Sequence, residues 1–543
     1  MDITRKDFTG GINRKDGVDK LADSEYPLGI NLRVRANNVA PIKKAAKLTG
    51  INAALFQGCE GIENYLIVAA DGYLYWRDLS QEDSNFAYFR DAAGAPIVMD
   101  PSARIHFKAV PASSINRKRV PVTANVANTE VNYTATVNGS PAAILVTDGV
   151  SQPAVVFLDG SGRRTKSYAE WTDEDPEYVP IGSIMYYNGN TVYMLSPDGK
   201  YLYRSVSGMP LNFVIVIDNN GAKAGDATES AYRYSYERTT ALSPLYGSSD
   251  FMASTATQGF RIQIDYANVF FGEPSHTRVG LASGAIHHYG VTTIGADTVF
   301  VDANGIKSFN AIAAVASKAE VDPFSLKIQP LMNGVLQQYP CAISLRDYTY
   351  FSVNTIFGQG IMVYDETLRV FVSLDLDPRL TDVIRFTTIN TQPQQKLVVC
   401  TTTGIYIYED SDEYAEAGFY YGEISSPTPA QESSAIRLRV RFTEVFENGT
   451  VTVLNYVDGK LDKTIQQELL ADDVTIPEYP WTTPTPVTDN KLSATLNFQY
   501  EGDLCSGSLL GFWIKFAFNA QLNALHLETR ESGEVIPSNQ QYV

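Results

Sequence analysis

The chain has 543 residues, 44% of them hydrophobic and 19% charged, and a formal charge of −18. The length exceeds one ordinary core and the composition is globular, so two to four domains or one large all-β unit are expected. The acidity excludes a protein that grips nucleic acid with a basic surface, because phosphate binding draws its free energy from Lys and Arg displacing counterions.

The start, "MDITRKDFTGG", has no apolar stretch after its charges, and no window reaches the roughly 18 apolar residues of a membrane helix, so synthesis in the cytoplasm and no membrane segment are expected. Residues 1–50 are punctuated by glycine, mixed in charge and short of core residues before "LGINLRV". They read as an N-terminal arm anchored only by its neighbours.

Beyond the arm, helical spacing of apolar residues is confined to "NAALFQGCEG" and, much later, "TIQQELLADD". Strand signals dominate instead. "VAADGYLYW", "LVTDGVSQPAVVF", "LSPDGKYLYRS", "VDANGIKSF" and "CTTTGIYIYED" each join two strands across one glycine: Gly72, Gly149, Gly199, Gly305 and Gly404. Looser copies surround Gly259 and Gly360, and from Gly149 to Gly404 the intervals are 50, 60, 46, 55 and 44 residues. A four-stranded meander needs about 40 to 50 residues, and radial repetition leaves an all-β chain only short edges. Residues 51–424 therefore predict a β-propeller of six or seven blades, with insertions near 110–140 and 215–250. A pair of sandwiches with glycine hairpins is the competing architecture. In "SVSGMPLNF", Gly208 and Pro210 are expected to set a turn between neighbouring strands or blades.

Residues 425–434, "SSPTPAQESS", read as a linker, and 435–543 as a β-sandwich-like domain with longer alternating strands. In "AIRLRVRFTEV" one face carries Ile436, Leu438, Val440 and Phe442, the other Arg437, Arg439 and Arg441. The four-proline loop over 476–490 is too stiff and donor-poor for a central strand.

No catalytic signature appears. His106, His276, His287, His288 and His526 include one adjacent pair, and neighbours on a strand point to opposite faces, so a core or surface pair is expected in place of a metal site. Cys59, Cys341, Cys400 and Cys505 form no C-x-x-C pair, which predicts buried thiols. The acidic groups Asp173, Glu174, Asp175, Glu177 and Glu409, Asp410, Asp412, Glu413 lack calcium-loop spacing and predict solvated loops. The basic runs Arg117–Arg119 and Arg163–Lys166 are unspecific. "SPDGKYLY" fails as a sialidase Asp-box because Gly199 directly follows Asp198. No catalytic residue, cofactor or metal is expected.

"VPIGSIMYYNGNTVYMLSPDGKYLYRSVSGMPLNF" and the opening "FTGGINRKDGVDKLADSEYPLGINLRVRANN" resemble segments of the tail nozzle or hub proteins of short-tailed bacteriophages, also called packaged-DNA stabilisation proteins. "GIMVYDETLRVFV" and "LLGFWIKFAFNAQLNALHLETR" are similar to later segments of that family. The resemblance implies a non-enzymatic virion protein: a homo-hexameric ring beneath the head-to-tail adaptor, touching tail fibres or spikes. It would retain packaged double-stranded DNA and conduct it without sequence recognition. Six copies of a −18 chain would make a ring of −108 formal charges, suited to passing a polyanion without adhesion. The alternative expectation is a carbohydrate-binding or glycoside-cleaving propeller, with aromatic and acidic residues around one pocket.

Overall fold

The computed structural model describes residues 2–531 apart from 17–19, 82–83, 116, 120–128, 132–141, 171–176, 207, 214–216, 219–220, 223–230, 233–234, 246–247, 264–274, 281–282, 315–323, 333–338, 392–393, 426–432, 470–492, 500–504 and 508. The protein is all-β. Its strands divide among many sheets, and among the described residues no sheet closes on itself and the one α-helix is Phe309–Ala314. No helix there is long and apolar enough to cross a membrane. The two stretches with helical spacing are largely strand, Phe56–Ile62 and Lys460–Leu469, because pairing with neighbouring strands overrides a weak local pattern.

Seven antiparallel meanders follow one another along the chain. Their first strands are Phe56–Ile62, His106–Pro111, Met185–Asn188, Thr239–Pro244, Val291–Ile294, Ala342–Leu345 and Val383–Thr391. Each packs beside the next, and the seventh packs beside the first, so the contacts run in a cycle. The sequence repeat marks one recurring place: the hairpin between the second and third strands of every meander. Only the sixth copy is displaced, with Gly360 inside the strand Gly358–Asp365 and Gly358 at the turn with φ of 107°.

The apolar runs in the second strands follow from burial on both faces. In Tyr65–Ala70, Ile67 and Ala69 join a cluster with Ile144, Val146 and Val156 of the second meander. Leu66, Val68 and Ala70 point the other way, into a cluster with Ile389, Val398 and Ile405 of the seventh. A one-residue slip would exchange the two sets, so register is strongly specified. Between the second and third meanders, Leu211 and Phe213 fill the cluster with Leu145, Val155, Val192 and Met194. Gly208, at φ of 75°, supplies the turn that brings them there.

The hairpin glycines are not equivalent in conformation. Gly199 has φ of 69°, and an added Cβ would lie 2.7 Å from Arg238 Cγ and 2.9 Å from the Thr239 carbonyl oxygen. Gly404 lies outside the left-handed region, and its nearest neighbour would be Lys47 Cε at 3.3 Å, so its turn does not demand a positive φ. Gly199→Val is expected to cost about 1 kcal/mol or more, and Gly404→Val less. Denaturant unfolding of both variants checks this, and the reverse order would contradict it.

Residues 1–50 do more than lie along the surface. Ala46–Lys47 is the fourth strand of the seventh meander. Leu28–Ile30 joins the sixth meander's Val370–Asp375 to Ala417–Ser425, continuing that meander into a nine-stranded sheet with Leu509–Phe516, Gly449–Val457 and Lys460–Leu469. Asp2–Arg5, Leu32–Arg35 and Asn38–Pro41 enter a seven-stranded sheet with Ser433–Thr443 and Gln521–Glu531. The apolar faces of the two large sheets share one cluster, in which Leu438, Val440 and Phe442 meet Val451, Val453, Ile514 and Phe516. The Phe442 and Phe516 rings are edge to face at 5.2 Å.

Of the expected linker, Ser425 ends one strand and Ser433 starts another; residues 426–432 and the proline loop 476–490 lie outside the described residues. In the first expected insertion, Arg117–Arg119 pairs with Thr129–Val131. Much of the second is regular structure, including the fourth strand of the third meander, Ala231–Tyr232, and the first of the fourth.

Candidate functional site

Three of the first strands interrupt their apolar pattern with a charge: Glu60 in "FQGCEGI", Lys108 in "HFKAVP" and Arg385 in "VIRFTTINT". Around them gather His106 and Arg104 of the second meander and residues entering the fifth and sixth first strands. Arg385 Nη2 lies 2.7 Å from Glu60 Oε2, and its guanidinium carbon sits 3.9 Å from the Tyr289 ring centre. Tyr289 stacks on His106 at 5.1 Å, and His106 meets His288 at 5.9 Å. His287 packs edge-on to Tyr339 at 5.2 Å, and the Arg104 guanidinium lies over the same ring at 4.4 Å. Lys108 Nζ faces the Tyr186 ring at 5.8 Å.

Contacts between the second and fifth, second and sixth, and fifth and seventh meanders join units that are not neighbours in the cycle. Such side chains meet because they face its middle. The adjacent histidines are not on a strand but open a short 3-10 turn, where His287 Nδ1 accepts from the Tyr289 N–H at 3.3 Å and His288 Nδ1 accepts from the Leu242 N–H at 3.4 Å.

Burial, assisted by neighbouring positive charge, holds these imidazoles neutral. His106 is pushed down to about 3 by burial, then by His287, Arg385 and Arg104. His287 falls to about 4, through burial and Arg104, and His288 lies well below its ordinary value, again through burial first. Burial also lowers Lys108, against the pull of Glu60. It opposes the charge of Arg385 as well, but Glu60 outweighs it and keeps that guanidinium firmly protonated. Tyr289 is raised by burial. Four buried atoms of the cluster have no hydrogen-bond partner among the described residues: Arg104 Nη1, His106 Nδ1, Tyr289 Oη and Arg385 Nε.

The other residues singled out in the sequence are dispersed. Glu177 forms a bidentate pair with Arg163 at 2.6 and 2.7 Å, which joins an acidic segment to a basic one; Asp173, Glu174 and Asp175 lie outside the described residues. Glu409 pairs with Arg33, Asp410 with Lys396 and Glu413 with Lys44. Among the described residues no three His, Cys, Asp or Glu side chains converge as metal ligands. Cys59, Cys341 and Cys400 are free, buried thiols. Thr4 Oγ1 lies 2.7 Å from His526 Nδ1, and His276 packs on Phe260.

A cleft of about 620 Å³ lies where the sixth meander meets the C-terminal strands. Its charges are mutually paired: Lys44 with Glu413 at 2.7 Å, Arg379 with Asp377 at 2.7 Å and Lys515 with Glu416 at 2.8 Å. Such a wall has little charge left to offer a ligand, which directs attention to the middle of the cycle. Sequence reading noticed His106, His287 and His288 but not Glu60, Arg104, Lys108, Tyr289 or Arg385; the available signal was a charge at an inward position of an otherwise apolar strand.

No protein-family model and no curated protein matches the chain. Among solved structures it is similar to Hsv2 of Kluyveromyces lactis, at 9% identity and a TM-score of 0.28 over 69% of this chain and 94% of that one. It is also similar to an exo-beta-1,3-galactanase of Phanerochaete chrysosporium, at 9% identity and a TM-score of 0.26 over 81% of this chain and 99% of the other. Likenesses at this level carry no inference about activity.

Proposed function

We propose that the chain is a seven-bladed β-propeller carrying a β-sandwich-like unit built from both ends of the sequence, and that it serves as a tail nozzle or hub protein of a short-tailed bacteriophage. The propeller reading is supported by seven meanders in cyclic contact with equivalent glycine hairpins. The non-enzymatic reading is carried by one observation: the middle of the cycle, where a propeller enzyme keeps its acids, holds cations, histidines and tyrosines around Glu60, the one carboxylate there among the described residues, itself paired with Arg385. Glycoside cleavage ordinarily needs two carboxylates about 5 to 10 Å apart, and among the described residues that pair is not assembled there.

In this reading the blades are rigid struts and the DNA passes between copies in a ring, not along a propeller axis faced by Lys108 and Arg385. The acidity of the chain limits adhesion of the passing polyanion. Partners would be five further copies, the head-to-tail adaptor ring and tail fibres or spikes, with the protein residing in the virion tail after synthesis in the host cytoplasm.

The test is assembly. Mixing the purified chain with its adaptor ring is expected to give a discrete ring complex by sedimentation and electron microscopy. Failure to form one, together with turnover of a glycan panel that Glu60→Gln abolishes, would transfer the assignment to a carbohydrate-active propeller.

A further inference from the structure

The centre of the cycle has an unbalanced charge. Arg104, Lys108 and Arg385 enter it, against one carboxylate among the described residues, Glu60, which Arg385 Nη2 already engages at 2.7 Å. The Coulombic influences on His106, Lys108 and Tyr289 come from these same groups and from neighbouring histidines and thiols, with no second acid among them. Two positive charges are thus drawn into a partly desolvated site without a matching anion among the described residues, an arrangement that is unfavourable if left alone. It is unexpected in a chain of net charge −18.

The unpartnered atoms specify what is missing. Arg104 Nη1 and Arg385 Nε can only donate hydrogen bonds, so they require an acceptor and reject a cation. Tyr289 Oη and His106 Nδ1 can also donate, and both side chains are 8% exposed. Guanidinium groups match oxyanions better than monatomic ions because their N–H bonds lie in a fixed plane at oxygen–oxygen spacing.

We propose that the middle of the cycle is a binding site for a small divalent oxyanion of the phosphate class, held by Arg104, Lys108 and Arg385 with Tyr289 and His106 as neutral donors. The anion would tie together the second, fifth and seventh meanders, acting as a central staple for the cycle. This inference stands on the cluster alone and does not rest on the tail reading.

The probe is inorganic phosphate, titrated into the full-length chain against chloride at constant ionic strength. The thermal midpoint is expected to rise and saturate, and the ring signals of His106 and His287 to shift over the same concentration range. In Arg104→Gln the half-saturating phosphate concentration is expected to increase about tenfold or more, the loss of one charge-assisted hydrogen bond. Lys108→Gln, tested in parallel, should move it in the same direction and keeps the comparison readable if Arg104→Gln does not fold. A midpoint that climbs without saturation and equally in the variants, as exclusion of phosphate from any protein surface produces, would overturn the proposal. Histidine signals unmoved by phosphate would do the same.

Discussion

Arg33→Met is expected to lower the stability of the protein by about 3 to 5 kcal/mol, the typical cost of removing one partner of a buried ion pair. Arg33 lies in the N-terminal strand Leu32–Arg35, its side chain 3% exposed. It reaches Asp375 of the sixth meander at 2.7 Å, and Tyr408 at 3.1 Å and Glu409 at 2.5 Å just beyond the third strand of the seventh. Tyr348, Tyr350 and Tyr408 surround the guanidinium at 5.5 to 6.0 Å. Burial opposes the positive charge, but Asp375 and Glu409 hold it in place. Methionine would fill much of the volume and leave the carboxylate of Asp375, 4% exposed, without its counter-charge. The double variant Arg33→Met/Asp375→Leu is expected to recover much of the loss, since apolar replacement of a whole buried pair is often neutral. Denaturant midpoints of the three proteins check this, and a double variant no better than the single one would contradict it.

The histidine contribution to stability is expected to be flat above about pH 7 and to fall between about pH 6.5 and 4.5. His106, His287 and His288 have their native pKa values pushed down, to about 3, to about 4 and well below the ordinary value, by burial and by nearby Arg104, Arg385 and Lys108, and the acid facing Lys108 and Arg385, among the described residues, is Glu60. The unfolded chain titrates them near 6.5. Above that pH neither state binds the protons. Below it only the unfolded state does, so stability is lost as pH falls, by at most about 1.4 kcal/mol per pH unit for each histidine. Carboxylates held below their ordinary range, such as Glu25, Asp377 and Glu413, add losses mainly below about pH 4.5, whereas Asp302, Asp365 and Glu409, raised by burial, act with the opposite sign and offset part of the histidine slope. Unfolding midpoints at pH 7.5, 6 and 5 measure the slope, and His106→Phe should reduce it by about a third. Equal stability at pH 7.5 and 5 would mean that these imidazoles are not buried and neutral.

Much of the architecture was legible because two local signals agreed. Glycines at 72, 149, 199, 305 and 404 marked the hairpins, and their spacing, with the looser copies at 259 and 360, limited the count to six or seven. The alternation of Leu438, Val440 and Phe442 with Arg437, Arg439 and Arg441 is reproduced in the strand Ser433–Thr443, with the three apolar residues fully buried and Arg439 and Arg441 exposed. The candidate site was only half visible: adjacent histidines stood out, whereas Arg104, Tyr289 and Arg385 look ordinary in sequence and acquire meaning only by meeting across the cycle.

What the amino-acid order determined by itself is whatever depends on residues a few positions apart: strand type, hairpin position, the faces of each strand and the repeat. Tertiary structure alone decided which distant pieces complete each sheet. Leu28–Ile30 seals the seam between the sixth meander and Ala417–Ser425, and Ala46–Lys47 completes the seventh meander, because exposed strand edges leave backbone hydrogen bonds unmade and any segment of matching polarity that reaches them will satisfy them. The charged middle of the cycle has the same origin. Glu60, Arg104 and Arg385 are separated by up to 325 positions in the chain, and only the cyclic packing of the first strands brings them into one partly desolvated space, where water screens their charges less.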